Sequence, residues 1–288
     1  MIKEAISTCI LLLCMCILLS CVNKDYPTEE VKETNQFSIE DKIQQIKEDL
    51  NGLKSVSIDS AHIQAIKKGD HKEDRIVQNR LAQYNDSPFV LYQQIDTTQS
   101  SESTLDDQQT QIAHYLTNDL AYIYNQHSEV WMNVPIELRE DLNIHHDPKA
   151  ELQQYLMIVE EYNQEMNMEE SADEYRLWFK GEGMEVRSAV IHSLELSSLI
   201  NEKQSSDLVN HMEIRDLHFS VSIDKESNMI NEMDINIQLA MKHNGEQVDM
   251  ELETHLTVRD FNETELDGIP EDIMEGAEEY RMELGNIE

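Results

Sequence analysis

The chain has 288 residues, with 58 Asp and Glu against 22 Lys and Arg, so its formal net charge is −36. Such a surface repels nucleic acid and anionic lipid headgroups, and we therefore expect no nucleic-acid partner. A hydrophobic content of 40% is enough for a packed core, whereas 8 Gly and 5 Pro are few for an all-β chain with many tight turns.

The first residues have the parts of a secretory signal, namely Lys3 in a short charged start and a largely apolar run from Ala5 to Ser20. The sequence Leu18-Leu19-Ser20-Cys21 at the end of this run resembles the lipobox of bacterial lipoproteins. The resemblance implies cleavage between Ser20 and Cys21, a diacylglycerol on the Cys21 thiol, and attachment to the extracytoplasmic face of the cell membrane. An uncleaved membrane anchor over the same apolar run is the alternative.

All four cysteines lie at or before Cys21, so cleavage would leave a domain without a disulfide, which must be stable through its own core. Residues 22–36 are polar and aperiodic, which is typical of a flexible tether. We therefore expect a signal peptide over residues 1–20, an acylated cysteine and tether over 21–36, and a single domain over 37–288.

Elements with helical or alternating periodicity follow the tether. Ile39, Ile43, Ile46 and Leu50 predict a first helix over 39–51, and Asp147-Pro148 is typical of an N-cap followed by proline in the first turn. A polar stretch from Thr97 to Gln109 is read as a loop. The other elements predicted in this half are a strand at Val56 and Ile58, hairpins over 74–84 with 88–98 and 121–125 with 129–134, an element at 112–116, a helix over 148–162, a strand over 175–180 and a helix over 184–200.

Three long strands then alternate between apolar and polar residues, over 217–223, 233–241 and 248–258, with Thr254 as the one break in the last of them. Asn244-Gly245 predicts a tight hairpin between the second and the third, and a phase slip predicts a bulge near Arg215. A tail helix is expected from Pro270. Long antiparallel strands with interspersed helices favour an α+β fold.

The layout resembles uncharacterised Gram-positive surface lipoproteins related to the LolA, LprG and LppX-like half-barrels. The segments that carry the resemblance, besides the lipobox, are Leu53-Lys54-Ser55-Val56-Ser57, Ala121-Tyr122-Ile123-Tyr124 with Trp131-Met132, Val221-Ser222-Ile223-Asp224-Lys225, and Gly268-Ile269-Pro270-Glu271-Asp272-Ile273. The resemblance implies a long antiparallel sheet curved into an unclosed half-barrel, with helices packed on the concave face. Some relatives carry acyl chains or lipoproteins there.

Two sets of apolar side chains are candidates for lining a ligand cavity, and plain core filling is the alternative for both. Flexible methionines suit a surface that accepts variable apolar ligands. The candidates are Tyr122, Tyr124 and Trp131 of the aromatic hairpin, and Met233, Ile235, Ile237, Leu239, Met241, Met250, Leu252 and Leu256 of the long strands.

Catalytic and metal-binding patterns are weak. Ser222-Ile223-Asp224-Lys225 matches S-x-x-K, but that chemistry needs a helical turn and this segment alternates as a strand. His145-His146-Asp147 lacks the further ligands of a zinc site. We therefore expect no enzyme, metal or cofactor.

Two hypotheses for the function follow from the sequence. The first is a membrane-anchored lipoprotein that binds an apolar or amphipathic ligand, such as a lipid, or an exported polypeptide. The second is a structural or interaction lipoprotein with a filled core that contacts a protein or cell-wall partner.

Overall fold

The computed structural model describes residues 39–69, 73–101, 107–138, 147–196, 212–243 and 246–280. The lipobox, the tether, His145, His146 and the Asn244-Gly245 turn lie outside these ranges. Within them no helix has both the length and the hydropathy needed to cross a bilayer.

Twelve strands and four α-helices make up the described part of the chain. The helices are α1 (Ile39–Asn51), α2 (Pro148–Glu161), α3 (Arg187–Leu196) and α4 (Glu271–Gly276), with short 3-10 helices at Ile136–Leu138 and Gly183–Val186. The strands are β1 (Ser55–Lys68), β2 (Glu73–Asp86), β3 (Phe89–Ser101), β4 (Gln108–Thr117), β5 (Ala121–Asn125), β6 (Val130–Val134), β7 (Asn167–Glu170), β8 (Glu174–Gly181), β9 (Glu213–Asp224), β10 (Ile230–His243), β11 (Glu246–Arg259) and β12 (Glu278–Glu279).

All the strands belong to one sheet, in the order β12-β6-β5-β4-β3-β2-β1-β11-β10-β9-β8-β7. Every pairing is antiparallel except the short one between β12 and β6. The first and last strands of this order are not paired with each other, so the predicted long, unclosed and mainly antiparallel sheet is confirmed. The two halves of the chain meet where β1 pairs with β11, from Ser57 opposite Arg259 to Lys68 opposite Val248.

Helices α1, α2 and α3 pack against one face of the sheet, here called the inner face. The helical spacing of Ile43, Ile46 and Leu50 along α1 places all three in the main hydrophobic core, together with side chains of α2 and α3. The same core contains inner-face residues of the strands, such as Val56, Phe219 and Leu256. The ring of Tyr162, just after α2, stacks on Phe179 of β8 with centroids 4.7 Å apart. The opposite side of the sheet is called the outer face.

Several local predictions are confirmed. Helix α1 has the predicted bounds, and the Asp147 Oδ1 atom accepts a hydrogen bond from the Lys149 backbone N–H at 2.8 Å, as an N-cap does. Gln238 pairs with Asp216 but Leu239 pairs with Ile214, so Arg215 is the extra residue of the predicted bulge.

The described ends of the polar stretch from Thr97 to Gln109 are strands and not the predicted loop, and residues 102–106 lie outside the described ranges. Strand β3 continues to Ser101 and β4 already begins at Gln108, with Thr97 paired with Gln78 on one side and Thr110 on the other. The loop prediction is wrong for 97–101 and 108–109 because these residues are polar on both faces of the sheet. The ladder hydrogen bonds form strands here without the apolar alternation that marks a half-buried strand.

Candidate functional site

Six of the eight candidates from the long strands lie deep in the main core. Met233, Ile235, Ile237, Leu239, Leu252 and Leu256 are each at most 7% exposed. They share the inner face, because Met233 is opposite Leu256 and Ile237 is opposite Leu252 in the register of β10 and β11. Met250 is half-buried against this core, and Met241 is half-buried further along β10.

The space between α3 and these strands is small. Ser193 and Leu194 of the helix face Ile235, Ile237 and Leu252 across a volume of about 10 Å³. A single water needs roughly 10–15 Å³ of such space. Among these described residues, α3 packs closely on the strands.

The aromatic candidates lie on the outer face and are not brought together with the Met-rich strands. Their neighbours Ala121 and Val134 point inward into a second, smaller core cluster, so the alternation along β5 and β6 turns Tyr122, Tyr124 and Trp131 outward. Tyr122 is 5% exposed, and the other two are half-buried.

On β1 to β4 the inner face carries several buried polar side chains where apolar ones would be expected. We call the group formed by Ser60, Arg80, Gln93, His114, Glu151 and Tyr155 the inner-face polar cluster. Ser60 is opposite Arg80, and Gln93 is opposite His114. Arg80 and Gln93 are diagonal neighbours across β2 and β3, within reach of long side chains.

Helix α2 completes this cluster from above the sheet, where it contacts β1 and β2. The Arg80 Nη2 and Glu151 Oε2 atoms are 2.8 Å apart, and the two side chains are only 3% and 2% exposed. The Tyr155 hydroxyl, one helical turn further on, donates to Glu151 Oε1 at 3.5 Å. Burial, aided by the Glu151 carboxylate, raises the pKa of Tyr155 well above its ordinary value.

Besides the two atoms of the ion pair, four enclosed atoms of the inner-face polar cluster have no hydrogen-bond partner among the described residues. They are Arg80 Nε, Arg80 Nη1, Gln93 Nε2 and Ser60 Oγ. Leaving a buried donor unsatisfied costs about 1–3 kcal/mol, and more when the group is charged. Because the three nitrogens can only donate, the cluster is complementary to an acceptor such as a carboxylate, a phosphate or a carbonyl oxygen.

Sequence reasoning missed this cluster. Arg80 and Gln93 each lie beside other polar residues of their strands, and Glu151 is one of many acidic residues in the chain, so each is typical of a solvated face. One sequence signal could have found the cluster. Arg80, Ala82 and Tyr84 follow one another at two-residue steps along β2, so all three point to the same, inner face.

Neither of the weak catalytic or metal patterns forms a site in the described ranges. Ser222 lies in β9, whereas Lys225 follows in the turn and its Nζ is 2.8 Å from Glu170 Oε1. The prediction that this segment is a strand is confirmed, and the two side chains do not share a helical turn. In the same ranges no three His, Cys, Asp or Glu side chains gather as metal ligands.

Comparisons with known proteins give one family and several distant structural likenesses. LprF from Mycobacterium bovis is 10% identical, with a TM-score of 0.38 over 81% of this chain and 96% of LprF. A DUF1329 family protein from Desulfovibrio piger is 8% identical, with a TM-score of 0.22 over 82% of this chain and 95% of that protein. No curated protein matches the sequence. The model of a family of unknown function, DUF6612, matches residues 38–278, and the chain therefore belongs to this family.

Proposed function

We propose that this chain is a lipid-anchored extracytoplasmic binding protein, and that the inner-face polar cluster receives the polar group of an amphipathic ligand. The attachment rests on Leu18-Leu19-Ser20-Cys21, where cleavage after Ser20 leaves Cys21 to carry a diacylglycerol. In this proposal the sheet is a half-barrel related to the LolA, LprG and LppX-like proteins, and the inner face is its concave side.

The observation that carries the binding role is the set of enclosed donors on Arg80, Gln93 and Ser60. A guanidinium has five N–H donors, and Glu151 contacts only the Nη2 end of Arg80. The Nε and Nη1 donors remain for a second acceptor. An oxygen-bearing group that reached them would remove the cost of the unsatisfied donors and form charge-assisted hydrogen bonds.

Apolar side chains border the donors, which favours an amphipathic ligand over a free anion. Leu256 is opposite Ser60 in β11, and Ala82 is two residues from Arg80 on the same face of β2; both are fully buried. A molecule with an acceptor head and an apolar body would meet both surfaces at once. Removal of its apolar surface from water contributes roughly 25 cal/mol per Å².

Lipid analysis of the native protein tests this role. Protein purified from its own membranes is denatured in organic solvent, which releases non-covalent lipid and leaves the Cys21 anchor on the chain. We expect close to one acceptor-bearing lipid per chain, and a loss of that lipid in the double variant Arg80→Leu with Glu151→Leu. Lipid-free protein, or equal lipid on the double variant, would overturn the proposal.

The membrane attachment has its own test. Cys21→Ala should abolish incorporation of radiolabelled palmitate and shift the protein from the membrane fraction to the medium, or leave it with its signal uncleaved. Cys16→Ala changes a neighbouring cysteine of the leader and should leave labelling and location as in the wild type. Continued labelling of the Cys21→Ala protein would contradict the anchor.

A second candidate is an interaction lipoprotein with a filled core that contacts a protein or cell-wall partner. The specific observation in its favour is the space of only about 10 Å³ beneath α3. The lipid analysis separates the two candidates, because this one predicts no lipid beyond the anchor in either protein.

A further inference from the structure

Aromatic rings form a continuous row across four adjacent strands on the outer face. The row consists of Tyr92 on β3, Tyr115 on β4, Tyr124 on β5 and Trp131 on β6, all half-buried. Ring centroids are 4.6 Å apart for Tyr92 and Tyr115, 5.6 Å for Tyr115 and Trp131, and 5.5 Å for Tyr124 and Trp131. We call these four side chains the aromatic row.

A ladder of amide and carboxylate groups continues directly from the aromatic row. The Tyr92 hydroxyl donates to Gln94 Oε1 at 3.0 Å, and Gln94 Nε2 donates to Asp96 Oδ2 at 2.9 Å. Gln111 Nε2 donates to the other Asp96 oxygen at 2.7 Å. Gln94 and Asp96 follow Tyr92 at two-residue steps, so all three share the outer face.

Beyond this ladder the outer face forms a groove of about 320 Å³ over β1, β2, β3 and β11. Asp96 lies at the junction and lines the groove together with Asn79, His255 and Thr257. The groove therefore offers carboxylate, amide, imidazole and hydroxyl groups. One continuous surface thus combines flat aromatic rings with planar groups that both donate and accept hydrogen bonds.

We propose that the aromatic row and the adjoining groove bind a neutral glycan chain. A pyranose ring has an apolar C–H face, which stacks on an aromatic ring, and hydroxyls at its edge, which hydrogen-bond to amides and carboxylates. Aromatic residues with a polar end suit a surface that is partly apolar and partly wet. The aromatic row and the inward side chains of the inner-face polar cluster lie on opposite faces of the sheet, because alternate side chains of a strand point to opposite faces, although Ser60 and Arg80 also border the groove.

The negative charge of the protein favours a neutral glycan over an anionic glycan or an anionic lipid surface. The chain carries a net charge of −36, and Asp96 adds a carboxylate at the junction between the row and the groove. Uronic acids, phosphate-bearing polymers and anionic headgroups would be repelled at this face. A neutral hexose or N-acetylhexosamine chain brings no such penalty.

Trp131 provides a direct reporter of binding. The sequence has two tryptophans, and Trp178→Phe on the distant strand β8 leaves Trp131 as the remaining one. Titration of the Trp178→Phe protein with cellohexaose and chitohexaose should produce a saturable change in tryptophan fluorescence with at least one of them. Polygalacturonate, an anionic glycan, should produce none.

Variants of the aromatic row test whether the rings carry the affinity. Trp131→Ala should weaken binding of the same hexasaccharide by about tenfold or more in calorimetry, as loss of a central aromatic anchor does. Tyr115→Phe keeps its ring and should retain binding, and Tyr175→Ala on β8 serves as the remote control. Circular dichroism establishes that each variant is folded.

Three outcomes would overturn the proposal. They are the absence of heat and fluorescence changes with both neutral hexasaccharides at millimolar concentration, equal binding of polygalacturonate, and unchanged affinity in a folded Trp131→Ala variant. Concentration-dependent dimerisation that disappears in Trp131→Ala, without any glycan binding, would instead make this face a contact between two copies of the chain.

Discussion

Arg80 of β2 and Glu151 of α2 place opposite charges 2.8 Å apart at a point where both side chains are almost fully enclosed. The pair links the sheet to the helix that covers it. Since α2 also contributes Tyr155 to the same group, the position of the helix and the electrostatics of the inner face are coupled. This coupling makes the pair a sensitive point for both stability and ligand binding.

Breaking the pair on one side should be more damaging than removing it. Glu151→Ala leaves the Arg80 charge buried without its partner, and we expect a loss of about 3–5 kcal/mol in the free energy of unfolding. Arg80→Leu with Glu151→Leu removes both charges and should be closer to the wild type. Urea denaturation followed by circular dichroism measures both. A loss below about 1 kcal/mol for Glu151→Ala would show that the pair is not buried as described.

Truncating a side chain of the sheet should lower the free energy of unfolding more when that side chain is more deeply buried. Leu256 is 0% exposed in the main core, so Leu256→Ala should cost about 2–5 kcal/mol. Ile112 is 50% exposed on β4, and Ile112→Ala serves as the matched control with a loss below about 1 kcal/mol. Equal losses from the two variants in urea denaturation would contradict the assignment of the core.

Alkaline conditions should destabilise the fold through its tyrosines. Burial raises the pKa of Tyr84, Tyr92, Tyr115, Tyr155 and Tyr162 above the ordinary value of about 10. All are neutral in both states below that pH, so their contribution to stability is fully present there. Above it the unfolded chain loses protons first, and the free energy of unfolding falls as the pH rises.

The measurement for the tyrosines is absorbance at 295 nm during titration of the native protein and of the protein in urea. Tyrosinate should form at higher pH in the native protein. Tyr155→Phe removes one fully buried hydroxyl and should flatten the decline of stability above about pH 10. Identical titration curves in the native and unfolded states would contradict the burial of these side chains.

Low pH should weaken the hydrogen bonds that stabilise the turn between β9 and β10. Asp224 Oδ1 accepts from the Ser227 backbone N–H at 2.7 Å and from the Ser227 hydroxyl at 2.8 Å, and these bonds lower the pKa of Asp224. A lowered pKa means that the contribution is present above the ordinary value of about 3.9 and is lost as the pH falls through the folded value.

Asp224→Ala should therefore cost about 1 kcal/mol at neutral pH and progressively less below about pH 4. Urea denaturation at a series of pH values measures this difference. Glu226→Gln removes an exposed charge from the same turn and leaves the acceptor of Asp224 in place, so it is the control. A cost of Asp224→Ala that stays constant down to pH 2 would contradict the assignment.

The local elements could be predicted where one physical signal dominated. The spacing of Ile43, Ile46 and Leu50 defines the buried stripe of α1, and Asp147 with Pro148 defines the start of α2. The long strands β9 to β11 have one apolar and one polar face, so their alternation appears directly in the sequence. Even the bulge at Arg215 was visible as a slip in that alternation.

Relationships between distant segments could not be predicted in the same way. The pairing of β1 with β11 leaves no local pattern, because each strand would look the same beside another partner. The side of the sheet on which Tyr115 and Trp131 lie depends on register across four strands. Arg80 and Glu151 lie in different elements, and each has the composition of a surface position until the two are placed together.

The pairing of β1 with β11 also has a consequence for how the molecule forms. Synthesis begins at the N-terminus, so β1 exists long before its partner, and one edge of β1 carries unpaired N–H and C=O groups during that time. Pairing across so long a stretch of chain is slow, because the entropy of closing the loop opposes it until the contacts form. A chain that lacks β11 would therefore keep an unpaired edge of β1 at the centre of the sheet, where another strand could pair with it.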